Sequence, residues 1–148
     1  MKKLTKILSV LVVLTLLVSA FALFACTKKS YVQQTETEVM FTIDKDIMPD
    51  CTGKFLIDYL DALQAKGEIS YVAEDGAWGK FITQINDRKA DSSQGESWFI
   101  YADDEENTTP AWGEYKVGEK TYYSTNYGVT SMPIKEGVTF VFMVSKYE

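Results

Sequence analysis

Three hydrophobic patterns follow one another along this chain. Residues 7–24 are apolar apart from Ser9, Thr15 and Ser19, and a basic start at Lys2, Lys3 and Lys6 precedes them. That layout belongs to a secretory leader and not to a folded domain. Further on, Val39, Phe41 and Ile43 alternate with Met40, Thr42 and Asp44, the period of two that predicts a strand with one buried face. Phe55, Leu56, Tyr59, Leu60 and Leu63 then form a helical apolar stripe, with Asp58, Asp61, Gln64 and Lys66 on the wet side. Asp50 or Thr52 is the candidate N-cap and Gly67 the stop. Short strands are predicted over 69–72, 81–85 and 98–102, separated by Glu74-Asp75-Gly76 and by Asp91-Ser92-Ser93-Gln94-Gly95 turn chemistry. Residues 138–144 are apolar on both faces, which predicts a central strand. One strand, one helix and a run of strands predict an α+β domain: a mixed sheet of about five strands with one covering helix.

The leader ends in Leu23-Phe24-Ala25-Cys26, which resembles the lipobox of bacterial lipoproteins: a Leu three residues before the Cys and a small residue immediately before it. The resemblance implies that Cys26 carries a diacylglyceryl thioether and becomes the mature N-terminus. Residues 1–25 are then the signal, 26–35 a lipidated N-terminus with a polar tether, and 36–148 one domain. At about 0.8 kcal/mol per buried methylene, several acyl chains would hold the protein on the outside of the bacterial cell membrane, its first expected partner. Phe24 is bulkier than the pattern favours. The rival reading is cleavage at Ala20-Phe21-Ala22, releasing a soluble chain that begins at Leu23.

Loss of the signal changes the charge. The 148 residues carry 15 basic and 21 acidic side chains; without the three signal lysines 12 face 21, a net charge of −9. An acidic exported domain argues against nucleic acid as a partner, because neutralising phosphates needs clustered Lys and Arg. Lipidation uses one of the two cysteines, leaving Cys51 without an intramolecular partner. The chain has no His, so a reactive Cys51 would lack its usual base, and an inert, partly buried thiol is the expectation. The same lack removes Ser-His-Asp chemistry and imidazole ligands to a metal. No phosphate loop or nucleotide fingerprint occurs, and the expected protein is not an enzyme.

Residues 103–132 form a connection of about thirty residues, longer than ordinary loops and therefore a place to look for function. It holds Trp112, Tyr115, Tyr122, Tyr123 and Tyr127. Aromatic side chains with polar tips suit a ligand surface for a flat ring or a sugar. They equally suit an inserted aromatic hairpin, 114–117 against 120–124 across Gly118-Glu119, whose rings pack on the sheet. Trp78, between Gly76 and Gly79, either faces solvent for a ligand or covers a helix edge. The run Asp103-Asp104-Glu105-Glu106 offers hard oxygen ligands for Ca²⁺. It lacks the alternation and Gly of an EF-hand loop, so a solvated acidic turn is the other reading. Asn107-Thr108-Thr109 fits a glycosylation pattern that a bacterial lipoprotein does not use.

Four motifs in order then resemble a family, the C-terminal domain of transcobalamin and intrinsic factor, also found in bacterial surface lipoproteins. They are Phe55-Leu56-Ile57-Asp58-Tyr59-Leu60, Gly79-Lys80-Phe81-Ile82-Thr83-Gln84-Ile85-Asn86, Trp98-Phe99-Ile100-Tyr101 and Ile134-Lys135-Glu136-Gly137-Val138-Thr139-Phe140. Asp103-Asp104 and Asp87 stand where the family favours Gly turns, and Asp tolerates that geometry. The resemblance implies a β-grasp-like fold and a soluble small-molecule ligand of corrinoid, cobalamin-like type, with no cofactor required. In the family's vitamin carriers this domain covers one side of cobalamin, so alone it would be a half-site sharing its ligand with a membrane transporter or a second binding domain. Divalent-metal binding, with Ca²⁺ first, and a glycan-binding or structural cell-surface role are the alternatives.

Overall fold

The computed structural model describes residues 29–147; the expected leader and the expected lipidation of Cys26 lie outside the described residues. Among the described residues, nine strands build two sheets. β1 (Val32–Gln34), β2 (Glu38–Thr42), β6 (Glu96–Ala102), β7 (Thr108–Val117), β8 (Lys120–Thr125) and β9 (Thr139–Lys146) form one sheet in the order β1-β2-β9-β6-β8-β7. β3 (Tyr71–Gly76), β4 (Gly79–Ile85) and β5 (Arg88–Lys89) form the other. Every pairing is antiparallel, and α1 (Leu56–Ala65) is the one α-helix among the described residues.

The expected α+β, β-grasp-like mixed sheet of about five strands is therefore corrected to a β-rich architecture of two antiparallel sheets. Three physical choices make the difference. The first strand pairs antiparallel with the last, Glu38 opposite Met143 and Thr42 opposite Thr139. The segments around 71–89 close on themselves through two-residue turns and leave the main sheet. The aromatic hairpin joins the main sheet as β7 and β8. In addition, the expected tether over 26–35 contributes β1, with Val32 opposite Phe41, and Lys29 bonds Asp44 and Asp46 at 2.7 and 2.8 Å.

The core lies between the main sheet and the layer formed by α1 and the small sheet. Val39, Phe41, Phe140, Phe142, Trp98 and Ala102 meet Leu56, Tyr59, Leu60 and Leu63 of α1, with Ile82 and Ile85 of β4 alongside. The period of two in the strands and of 3.6 in the helix makes this possible. Phe41 stacks on Tyr59 at 5.5 Å and on Phe142 at 5.8 Å between ring centroids. β9 is apolar on both sides because it is central: its other face gives Val141 to a second cluster with Tyr101 and Tyr122.

The N-cap of α1 is Phe55, not the expected Asp50 or Thr52. Asp58 accepts the Phe55 N–H at 2.8 Å, while the first free N–H groups of Leu56 and Ile57 donate to the carbonyls of Met132 and Val129 at 2.8 and 2.9 Å. Tertiary carbonyls do the work that a polar cap does elsewhere. Asp50 instead accepts Thr52 N–H. Gly67 ends the helix at φ 73°, as expected.

Several tyrosines titrate high. Burial pushes Tyr59 up to about 12. Its bond to Glu38 at 2.6 Å, then burial, pushes Tyr115 up to about 12. Burial and the Asp61 carboxylate raise Tyr71 further. In the unfolded chain these phenols ionise near 10. The folded state thus favours the protonated form, and its stabilisation is complete below pH 10 and lost as pH rises from about 10 to 12. Circular-dichroism melts should give a constant melting temperature to about pH 9.5 and a steep fall above pH 10, with a shallower fall in Tyr115→Phe.

Candidate functional site

The aromatic residues anticipated as ligand contacts separate into two groups. Tyr122 is 5% exposed, with its hydroxyl 4.0 Å from Met40 Sδ. Tyr115 is half-buried, tilted against Tyr101 at 5.6 Å and bonded to Glu38 on β2. Since β9 and β6 separate β2 from β8 in the sheet, these contacts require the β7–β8 hairpin to curl over the second face. Only Tyr101 and Ala102 of β6 pair with β8, which frees the rest of the hairpin to do so. Tyr123, opposite Ala102 and Glu114, is half-buried and points to the other side of the sheet.

Trp78, Trp112 and Tyr127 point outward, at 95, 66 and 49% exposure. Each is held by a definite backbone device. Trp78 occupies the two-residue tip between Gly76 and Gly79, the closing pair of the β3–β4 hairpin. Gly79 has φ 105°, and a Cβ there would come within 2.2 Å of Thr130 Oγ1, so glycine is what lets the tip seat against the β8–β9 connection. Tyr127 lies in that same connection, where its carbonyl accepts the Thr125 hydroxyl at 2.9 Å. Trp112 rides a break in register. Thr109 pairs with Ser124 and Glu114 with Tyr123, so residues 110–113 are extruded, and Gly113 takes φ 119° where a side chain would be strained. The structure therefore places Trp78 and Tyr127 along one connection, with Trp112 opposite the strand that leads into it. Tyr115 and Tyr122 are not among them.

The acidic run does not converge. Asp103 pairs with Lys120 and accepts Thr139 N–H at 2.7 Å. Asp104, 5% exposed, accepts Asn107 Nδ2 at 2.7 Å and Glu106 N–H at 3.2 Å, with Lys135 at 3.6 Å. Glu106 pairs with Lys135, and Glu105 is exposed. Asp103 and Asp104 thus act as turn-closing acceptors whose charges the two lysines balance. Among the described residues, no group of three or more His, Cys, Asp or Glu is arranged to hold a metal ion. Cys51 is half-buried and free, and burial raises its thiol pKa, away from nucleophilic reactivity.

One site escaped the sequence pattern. Between the small sheet and the edge of β6 lies a cleft of about 360 Å³. Phe81 and Tyr147, 49 and 60% exposed, stand on it together with Glu74, Lys89, Ser92 and Ser97. The adjacent apolar pair Phe81-Ile82 was the available signal: only one of two neighbours on a strand can face the core, and Ile82 does. Tyr147 carried no signal of its own.

Residues 53–121 match a family described as Domain of unknown function (DUF4430), a stretch that runs from just before α1 into β8. No curated protein and no solved structure matches the chain.

Proposed function

We propose that this chain is a non-catalytic, extracytoplasmic binding lipoprotein, anchored through Cys26, whose ligand is a small planar molecule of corrinoid type. The observation that carries this reading is the trio Trp78, Trp112 and Tyr127. Each is a large ring left in water, and such rings offer faces on which a planar ligand stacks. The motif resemblance to the transcobalamin C-terminal domain supplies the ligand type, and the DUF4430 match, to a family related to that domain, supports it. With no His in the chain, corrinoid contacts are stacking and hydrogen bonds, without an imidazole on cobalt. The surface is one-sided, so a transporter or second binding domain would cover the other side of the ligand.

The anchor sharpens this picture. Two residues, Thr27 and Lys28, lie between Cys26 and Lys29, and over three steps of roughly 3.5 Å each a lipid on Cys26 would hold the domain within about 10 Å of the bilayer. Such closeness suits transfer of a ligand to a membrane partner.

Calorimetry of the full chain with cyanocobalamin, with Ca²⁺ and with both tests the reading. Heat is expected with cyanocobalamin. Trp78→Ala and Trp112→Ala should each weaken it about tenfold while moving stability by less than about 0.5 kcal/mol, as exposed positions do. Absence of heat at high protein concentration overturns the proposal, and heat with Ca²⁺ alone replaces it with a cation-binding module.

A further inference from the structure

We infer that the cleft between the two sheets is a second binding site, taking a neutral saccharide. Its walls are positioned by backbone and not by chance side-chain placement. The Phe81 ring leans across Gly76 of the partner strand, where a Cβ would come within 3.1 Å of Phe81 Cδ1. Tyr147 is pinned through its N–H to the Gly95 carbonyl at 3.1 Å. Arg88 and Glu96, paired at 2.8 Å, together with the Asp91 N–H on the same carboxylate at 3.0 Å, hold β5 and its following turn to β6 and give the cleft a fixed end.

The lining is chemically specific. Among the described residues, no hydrogen bond or ion pair engages the side chains of Glu74, Lys89, Ser92, Ser97 or Tyr147, and all of them border the cleft with Phe81. A carboxylate, an ammonium and three hydroxyls around an exposed aromatic face match a pyranose, which presents an apolar C–H face and a rim of hydroxyls. The charges settle which kind. Glu74 balances Lys89, and Glu96 is neutralised by Arg88, so the cleft carries no excess charge to attract a phosphate or a divalent cation. Its volume falls in the range of roughly 300–1,000 Å³ typical of small-molecule sites. Corrinoid binding at the exposed tryptophans and sugar binding in the cleft are separate events, and either can fail without the other.

The test is a nuclear magnetic resonance titration of the ¹⁵N-labelled full chain with maltose, cellobiose and N,N′-diacetylchitobiose. At least one should shift signals from residues 81–83, 89–97 and 147, with a dissociation constant on the order of millimolar, about −4 kcal/mol. Phe81→Ala and Tyr147→Ala should each weaken it about tenfold with little change in melting temperature, whereas Trp112→Ala should leave it unchanged. The inference is overturned if none of the three sugars shifts these signals, if trialanine shifts them equally, or if both variants bind as the wild type does. Should Phe81→Ala fail to fold, Tyr147→Ala alone decides.

Discussion

Tyr59→Ala should lower the free energy of unfolding by about 4 kcal/mol, in the range for deleting a buried aromatic side chain. The residue is fully buried and its ring stacks on Phe41. Its hydroxyl donates to the Thr42 carbonyl at 3.0 Å and accepts the Asp44 N–H at 3.0 Å. One side chain therefore fills the helix–sheet interface and also satisfies two backbone groups where β2 ends and a turn begins. The two roles can be separated. Tyr59→Phe keeps most of the volume but orphans both backbone groups, which costs about 1–3 kcal/mol. Urea titrations should show both midpoints lowered, Ala well below Phe, with the slope unchanged. Since a domain of this size is stable by only about 5–15 kcal/mol, the alanine variant should be partly unfolded at physiological temperature. A Tyr59→Phe midpoint equal to that of the wild type would show that the hydroxyl does not secure the end of β2.

Tyr122→Ala is expected to cost about 3 kcal/mol, against almost nothing for Trp112→Ala only ten positions earlier. Tyr122 lies between Val141, Tyr101 and Met40 beneath the curled hairpin, and the Lys120 ammonium stands 5.2 Å from its ring centroid. Its removal leaves a cavity on the second face that a hairpin tied to the sheet through Tyr115 and Glu38 cannot easily close. Urea midpoints of the two variants, measured side by side, separate packing from exposure within one aromatic segment. Equal midpoints would mean that the hairpin does not pack on that face. Any loss of ligand by Tyr122→Ala must accordingly be compared with its loss of stability, whereas a loss by Trp112→Ala reports on contact.

Elements with strong periodicity were legible. The alternation of Val39, Phe41 and Ile43, the stripe on α1 and the doubly apolar run before Val144 each state which faces are buried, and the structure buries those faces except at Phe55, which caps α1 from outside its first turn and is 40% exposed. The hairpin of 114–117 with 120–124 was legible because Gly118-Glu119 is a turn between two alternating segments. That neighbouring carboxylates in Asp103-Asp104-Glu105-Glu106 diverge also follows from local geometry. β1 was not legible: Val32-Gln33-Gln34 has almost no apolar face, and its pairing is made by backbone groups that every residue carries. The α1 start was missed for a related reason, since its N–H partners are carbonyls some seventy residues away in sequence.

What the sequence determined by itself is the acidic balance, the lack of histidine and the list of apolar faces needing cover. What only the tertiary structure decided is strand direction, the division into two sheets, the inward turn of Tyr115 and Tyr122, and the outward turn of Trp78 and Trp112. Periodicity describes a segment's own faces, whereas direction and partner depend on loop closure and on competition among distant strands for the same edge. Phe81 and Tyr147 show the difference most plainly: they are far apart in the chain, and the cleft they share exists only because one sheet closed on itself and settled beside the other.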